Sequence, residues 1–302
     1  MKYNFKSIPY IIYTRSNTNL LDRLLKDDWP ILFEGIHTTF FAGHHDLSKR
    51  IKILRAHNIE HEYYRGLTGA EKNLAKKAFF YTEAIKLEHY EKNLPAELII
   101  AAITETDADY FRKRFSSVVY LPAFHPYESL HCQPGIGKYI LFHGDLSVPE
   151  NISSAIYLVK NIFGKISNKV VIAGKNPSSS LQNYIQQHPN IRLEANPSEV
   201  QMNELIRNAQ INMLHAFHSS GFKLKLISAL LNGRHCIVNP ALISGSGLED
   251  LCYVVKDPQE AINLIPRLMD ISLEIDELDQ RRAILSEKYS NLTNAQIILN
   301  II

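Results

Sequence analysis

Cysteine is scarce in this sequence. Cys132, Cys236 and Cys252 are three residues with no Cys-x-x-Cys spacing. An odd, unpatterned set argues against a disulfide framework or a cysteine zinc site and favours a reducing compartment. A surplus of one charge is also missing. The formal net charge of +2 is too small for bulk electrostatic attraction to nucleic acid. No apolar run approaches the roughly 18 residues of a membrane span. The start, Met-Lys-Tyr-Asn-Phe-Lys, leads only into a short apolar run from Ile8 to Tyr13 and does not read as a signal peptide. What is present is ordinary for a globular protein: 302 residues, 45% hydrophobic and 21% charged, enough for two domains in the cytoplasm.

Short apolar runs alternate with helical patterns along the whole chain. Strands are expected at Ile8–Tyr13, Ile31–Phe33, Ile51–Leu54, Glu97–Ile103, Val118–Leu121, Tyr139–His143, around Val171, at Ile191–Leu193, Ile211–Leu214, Cys236–Val238 and Leu251–Val255. Helices are expected between them, at Asn19–Lys26, over one long charged span from Thr68 to Leu94, and from Thr104, Ile152, Ser178, Ser198, Lys223 and Pro258 onward. Such alternation implies an α/β fold with parallel sheets, whose sites form at the carboxyl ends of strands. Glu34, His37, His57 and Asn58 fall at such ends. Phe124 to Lys138, with two prolines and two glycines, reads as a linker. Gly135-Ile-Gly137 opens no helix and is not a dinucleotide fingerprint. The charged span reads first as a solvated face, and second as a weak contact with anionic lipid.

The most informative stretch runs from Ser219 to Asp250. Ser220 and Gly221 open a helix, Lys223 and Lys225 lie in its first turn, and Gly233 stands where a left-handed cap is expected before the strand Cys236–Val238. A Gly/Ser loop feeding a helix start collects free N–H groups and the positive end of the helix dipole, which makes an anion site. Lysines in the first turn oppose that dipole, and a bound phosphate would offset the cost. Two residues apart on a helix, they cannot both face one phosphate, so Lys223 is expected to make the contact and Lys225 to be peripheral.

The pattern Gly-x-Lys-x-Lys, a helix, Gly and Cys-Ile-Val resembles the donor-site segment of family 4 glycosyltransferases of the GT-B fold. Arg55-x-His57-Asn58-Ile-Glu60-His61 resembles the acceptor-side loop of the same family. The resemblance spans roughly Ile31 to Leu264. It implies two Rossmann-like domains with parallel sheets facing across a cleft: an acceptor-side domain, 1–128, incomplete because it lacks the usual first strand, Gly loop and helix, and a donor domain, 129–302, whose last helix crosses back. It implies a metal-independent, retaining transfer of a sugar from a nucleotide-diphosphate sugar to a saccharide or lipid-linked acceptor in cell-surface glycan synthesis, with no cofactor. It implies donor contacts at Gly144, Lys175, Ser220, Gly221, Lys223, Lys225 and Ser228, acceptor contacts at Glu34, His37 and Asn58, and His57 as the catalytic residue. Partners would be the nucleotide-sugar and the acceptor, with no nucleic acid, in the cytoplasm or peripherally at the inner face of the membrane. Departures from the pattern are equally plain: Ser228 replaces a ribose-contacting Glu, and Asp145 and Glu150 replace two basic residues.

Those departures keep a second reading open, a non-catalytic relative that binds nucleotide or glycan or acts as a partner subunit. A nucleotide-sugar epimerase is the third. His37, His44, His45, His57 and His61, with Glu60 and Glu62 nearby, show no recognised metal spacing except His57 and His61, which would need a helix. Glu34, Glu60 and Glu62 could flank a glycosidic bond, but this architecture does not favour hydrolysis. Ser147 and Ser244 to Ser246 lack a nucleophile elbow.

Overall fold

The computed structural model describes residues 7–71, 73–219 and 224–302. They fall into two compact units. One comprises residues 7–124 and 291–302, the other residues 125–219 and 224–290.

Among the described residues of the first unit, four parallel strands form one sheet in the order β1 (Ile31–Glu34), β2 (Lys52–Ala56), β3 (Ile99–Ala102), β4 (Val118–Tyr120). β2 is nearly all buried, as a parallel strand covered on both faces must be. One face packs Phe33, Leu54, Ile100 and Ala102 against helices. The other packs Ile53, Ala101 and Leu121 against Ile297, Ile298 and Ile301. Asn294 Nδ2 ties that last segment down by donating to the Pro122 carbonyl at 3.3 Å.

Several expectations change in this unit. Ile8–Tyr13 is not a strand, because Tyr10–Tyr13 forms a short helix, α1. Pro9 fixes its entry, the Tyr10 N–H donates to Glu83 Oε2 at 2.6 Å, and Ile12 is buried, so tertiary contacts override the β propensity of the run. The long helix expected from Thr68 to Leu94 is one helix but starts later, at Leu74, and residues 68–70 end the helix before it. After α2 (Thr18–Leu24) come α3 (Glu60–Ala70) and α4 (Leu74–Lys92). The break is set by Asn73, whose side chain accepts from the Lys76 N–H and so starts a new helix. α3 also begins earlier than expected, within the stretch that reads as a loop. Nor is α4 only a solvated face: Glu83, Leu87 and Glu91 are buried. α5 (Glu105–Arg112) opens as the sequence implies, with Thr104 Oγ1 accepting from the Asp107 N–H at 3.0 Å.

In the second unit six parallel strands run in the order β10 (Tyr253–Val254), β9 (His235–Val238), β8 (Ile211–Leu214), β5 (Ile140–His143), β6 (Val170–Gly174), β7 (Ile191–Ala195). Counted from the first strand of this unit, that is the doubly wound order 6-5-4-1-2-3. β5, β6, β8 and β9 are buried along their whole length, and helices α6 (Pro149–Asn161), α7 (Ser179–Gln186), α8 (Glu199–Asn208) and α9 (Leu224–Asn232) connect them. α8 carries the full capping box read from Ser198 and Gln201. Short α10 (Pro240–Ile243), then α11 (Pro258–Asp270) and α12 (Ile275–Tyr289) follow, and α13 (Asn291–Leu299) belongs to the first unit. Gly233 is not a left-handed cap, since among the described glycines positive φ occurs at residues 35, 135, 245 and 247. It is glycine for space: a Cβ there would lie 2.1 Å from Asn212 Nδ2 and 2.8 Å from the Ala229 carbonyl. Among the described residues, no helix is long and apolar enough to cross a membrane.

Candidate functional site

In a doubly wound sheet the strand order reverses at one point, and there the loops part to leave a crevice. In the second unit that point lies between β5 and β8. A cavity of about 450 Å³ opens there, lined by Gly144, Asp145, Lys175, Ser198, Lys225 and Ser228 together with His143, Tyr127 and Asn203.

Close packing shapes its floor. A Cβ on Gly174 would sit 2.0 Å from the Gly144 carbonyl, so the turns after β5 and β6 can meet only if residue 174 has no side chain. Asn176 and Asn196 follow β6 and β7 with φ of 51° and 53°, a region asparagine tolerates. The Asn176 N–H donates to Asn196 Oδ1 at 2.7 Å and joins the two turns.

The positive charge in the cavity is supplied by Lys175 and Lys225, and the carboxylates Asp145 and Glu199 line it too. Lys225 Nζ donates to the His215 carbonyl at 3.1 Å and to Asn151 Oδ1 at 3.3 Å, and stands 5.7 Å from the centre of the Phe142 ring. Lys225 lines the cavity, while Lys223, expected to make the closer phosphate contact of the two, lies outside the described residues. Two histidines near it are kept neutral. Burial, and then the Lys225 charge, lowers His143 from 6.5 to about 3. The same two causes lower His215 to about 4, against a smaller raising effect of Glu150. His143 Nε2 is buried with no hydrogen-bond partner. Asp145 is turned toward its own loop, where its carboxylate accepts from the Ser147 N–H and hydroxyl at 2.9 and 2.6 Å. These bonds, with Lys175 nearby, hold its carboxyl below the usual range.

Ser228 is joined by groups from distant parts of the sequence. Its Oγ lies 2.7 Å from the Tyr127 hydroxyl, which also donates to Asn203 Oδ1 at 3.4 Å. Tyr127, Asn203 and His143 are the members that sequence reasoning missed. Tyr127 sits in a segment that reads as linker, Asn203 on a helix face without a motif, and His143 at the end of an apolar strand. Ser220, Gly221 and Lys223 lie outside the described residues.

The first unit brings three of its four expected residues together. Glu34 ends β1 and His57 follows β2, placing His57 Nε2 3.5 Å from Glu34 Oε1. Arg55, on β2, donates to the same oxygen at 2.6 Å and stacks over Phe124. Gly35, with φ of 87°, turns the chain so tightly that a Cβ there would lie 2.6 Å from the His37 imidazole. His37 is pushed down by burial and by Arg15 and His57, with Glu34 opposing. Asn58 instead bonds Glu60, whose carboxyl is raised by burial to about 7. Among the described residues one group of three, His44, His45 and Asp46, places potential metal-binding atoms within 4.8 Å of one another. None of the three is a residue of either cluster above.

No family model matches the chain. A protein of Klebsiella pneumoniae described as an uncharacterized 44.6 kDa protein in the cps region is 24% identical over 258 residues, covering 80% of this chain. The chain spans 65% of that relative's length. Among solved structures, a sucrose-phosphate synthase from Thermosynechococcus elongatus superimposes with a TM-score of 0.68 at 10% identity, covering 92% of this chain and 74% of its own. HepE of Anabaena, solved in complex with UDP and glucose, gives 0.63 at 10% identity over 94% and 80%. TarM gives 0.62 at 14% identity over 94% and 57%. Likeness at this level shows the fold, the GT-B class of two Rossmann-like α/β domains.

Proposed function

We propose that the chain is a glycosyltransferase that moves a sugar from a nucleotide-diphosphate sugar to a saccharide or lipid-linked acceptor. One observation carries this reading: the switch-point cavity joins a bare backbone turn at Gly144, the cations Lys175 and Lys225, and a cluster of neutral hydrogen-bonding groups around Ser228. The cations take the diphosphate, whose charge grows as the sugar–oxygen bond breaks. Fixed positive groups that meet developing charge lower the barrier. Ser220, Gly221 and Lys223 belong to the same diphosphate grip in this reading. Ser228, Tyr127 and Asn203 offer hydroxyl and amide partners to a ribose in place of a carboxylate. On the acceptor side, Glu34, His37 and His57 orient the incoming hydroxyl, with His57 in contact with it as hydrogen-bond acceptor.

The reaction is metal-independent and retaining in this reading, and it serves cell-surface glycan synthesis in the cytoplasm. HepE was solved with UDP and glucose, and the Klebsiella relative is described by its cps region, both of which support this direction. Titration calorimetry with UDP, GDP and ADP tests the donor site. Micromolar to millimolar binding of at least one is expected, and none at millimolar concentration removes the proposal. Turnover of the matching nucleotide-sugar is expected to survive a chelator. Binding without any turnover across a panel of acceptors would instead favour a nucleotide-binding partner subunit, the reading that Asp145 and Glu150 in place of basic residues keeps alive.

A further inference from the structure

The first unit holds a second cavity, of about 320 Å³, lined by α3, α4, α5 and the segment after α5, with no strand residue. Its chemistry plays no part in the transfer above. On its wall Glu91, 2% exposed, gives both carboxylate oxygens to one histidine. Oε1 accepts from the His61 main-chain N–H at 3.2 Å, and Oε2 from the His61 ring at Nδ1, 2.6 Å away. An ionised carboxylate only accepts, so a ring proton sits on Nδ1, and in the neutral ring Nε2 presents a lone pair. His61 is 4% exposed, and among the described residues nothing bonds its Nε2. His61 lines the cavity, so this lone pair is open to it and can take a donor from a ligand. The Tyr110 ring lies 5.9 Å from the imidazole, and Phe115 extends the apolar wall. Exposed Lys113 and Arg114 line the same cavity without an ion-pair partner among the described residues. Lys92 and Arg65, by contrast, are both engaged with Glu88.

We propose that this cavity binds a sugar carrying an anionic group, a phosphate or a carboxylate. A sugar hydroxyl donates to His61 Nε2, the ring lies against Tyr110, and the anion meets Lys113 and Arg114. A plain sugar would lack the charge, and a free anion would lack the ring that lies against Tyr110.

The test uses the whole protein and four probes: glucose 6-phosphate, glucuronate, glucose and inorganic phosphate. Saturation-transfer NMR and calorimetry are expected to show at least one of the two sugar acids binding about tenfold or more tighter than glucose and than phosphate, a difference well above what these methods resolve. Which of the two binds decides between phosphate and carboxylate. Lys113→Ala with Arg114→Ala changes only exposed positions and is expected to weaken that binding about tenfold or more. UDP binding, measured on the same variant, is expected to stay unchanged, so failure here and failure of the donor site are read separately. His61→Asn is expected to lose the preference for the sugar acid over the free anion. The proposal falls if neither sugar acid binds at millimolar concentration, if inorganic phosphate binds as well as glucose 6-phosphate, or if the double variant binds like the wild type.

Discussion

Beyond burial, Lys225 lowers the pKa of both histidines beside the switch-point cavity, and one substitution separates its two effects. Lys225→Met keeps the length of the side chain and removes the charge. Nucleoside-diphosphate binding is expected to weaken by about 1.5–3 kcal/mol, the range for a hydrogen bond to a charged group. Because the lysine charge holds both neighbouring imidazoles down, its removal is expected to raise the pKa of His143 and His215 above about 3 and 4. Titration of the imidazole protons by NMR checks the second effect without any ligand. Tyr127→Phe makes a finer probe. It deletes the hydroxyl shared with Ser228 and Asn203 and is expected to weaken UDP binding by about 0.5–1.5 kcal/mol with little change in Tm. For His57, an acceptor-side role predicts that His57→Ala lowers turnover by roughly 10²-fold or more while nucleotide binding and Tm hold. A lower Tm with normal turnover per folded molecule would make it a structural residue paired with Glu34.

At the scale of single elements, caps and strand runs were legible before the structure, because their causes are local. Ser198 and Gln201 are three residues apart and meet by helix geometry alone, and the same holds for Thr104 and Asp107. What could not be read locally had a distant cause. The Ile8–Tyr13 run is helical because Glu83, on α4, receives the Tyr10 N–H. Gly233 answers to Asn212 across the sheet rather than to the helix it ends. In the candidate site, Gly144, Lys175 and Lys225 follow from strand ends and helix starts, whereas Tyr127 reaches Ser228 across 101 positions of sequence. Asn73 is the instructive case between these two, a local cap overlooked within a charged run. Asn73→Ala is expected to cost about 1 kcal/mol, read as a lower midpoint in urea unfolding with an unchanged slope.

For the molecule as a whole, acid and base act on different units. In the second, His143 has its folded pKa depressed from 6.5 to about 3. The unfolded chain therefore binds this proton first, so the stability is fully present above pH 6.5 and is lost as pH falls toward 3, on the order of several kcal/mol over the window. In the first, Glu60 has its folded pKa raised from 4.5 to about 7. Its contribution is fully present below pH 4.5 and is lost as pH rises through 7, roughly 3 kcal/mol at most. Calorimetric scans at pH 5 and pH 8 are expected to show Glu60→Gln stabilising at pH 8 and near neutral in effect at pH 5. His143→Phe is expected to flatten the loss on the acid side, and an unchanged acid limb would remove His143 as its cause.

The packing of Ile297, Ile298 and Ile301 on Ile53, Ala101 and Leu121 also sets an order of events during synthesis. The first unit leaves the ribosome early, yet one face of its sheet stays uncovered until residues 291–302 follow the entire second unit. For that interval the nascent chain carries an apolar surface that a chaperone, or another nascent chain, can occupy. Ending the chain after Ser290 would make the interval permanent, and such a truncation is expected to accumulate as aggregate or chaperone-bound protein, even though none of the residues lining the switch-point cavity is lost.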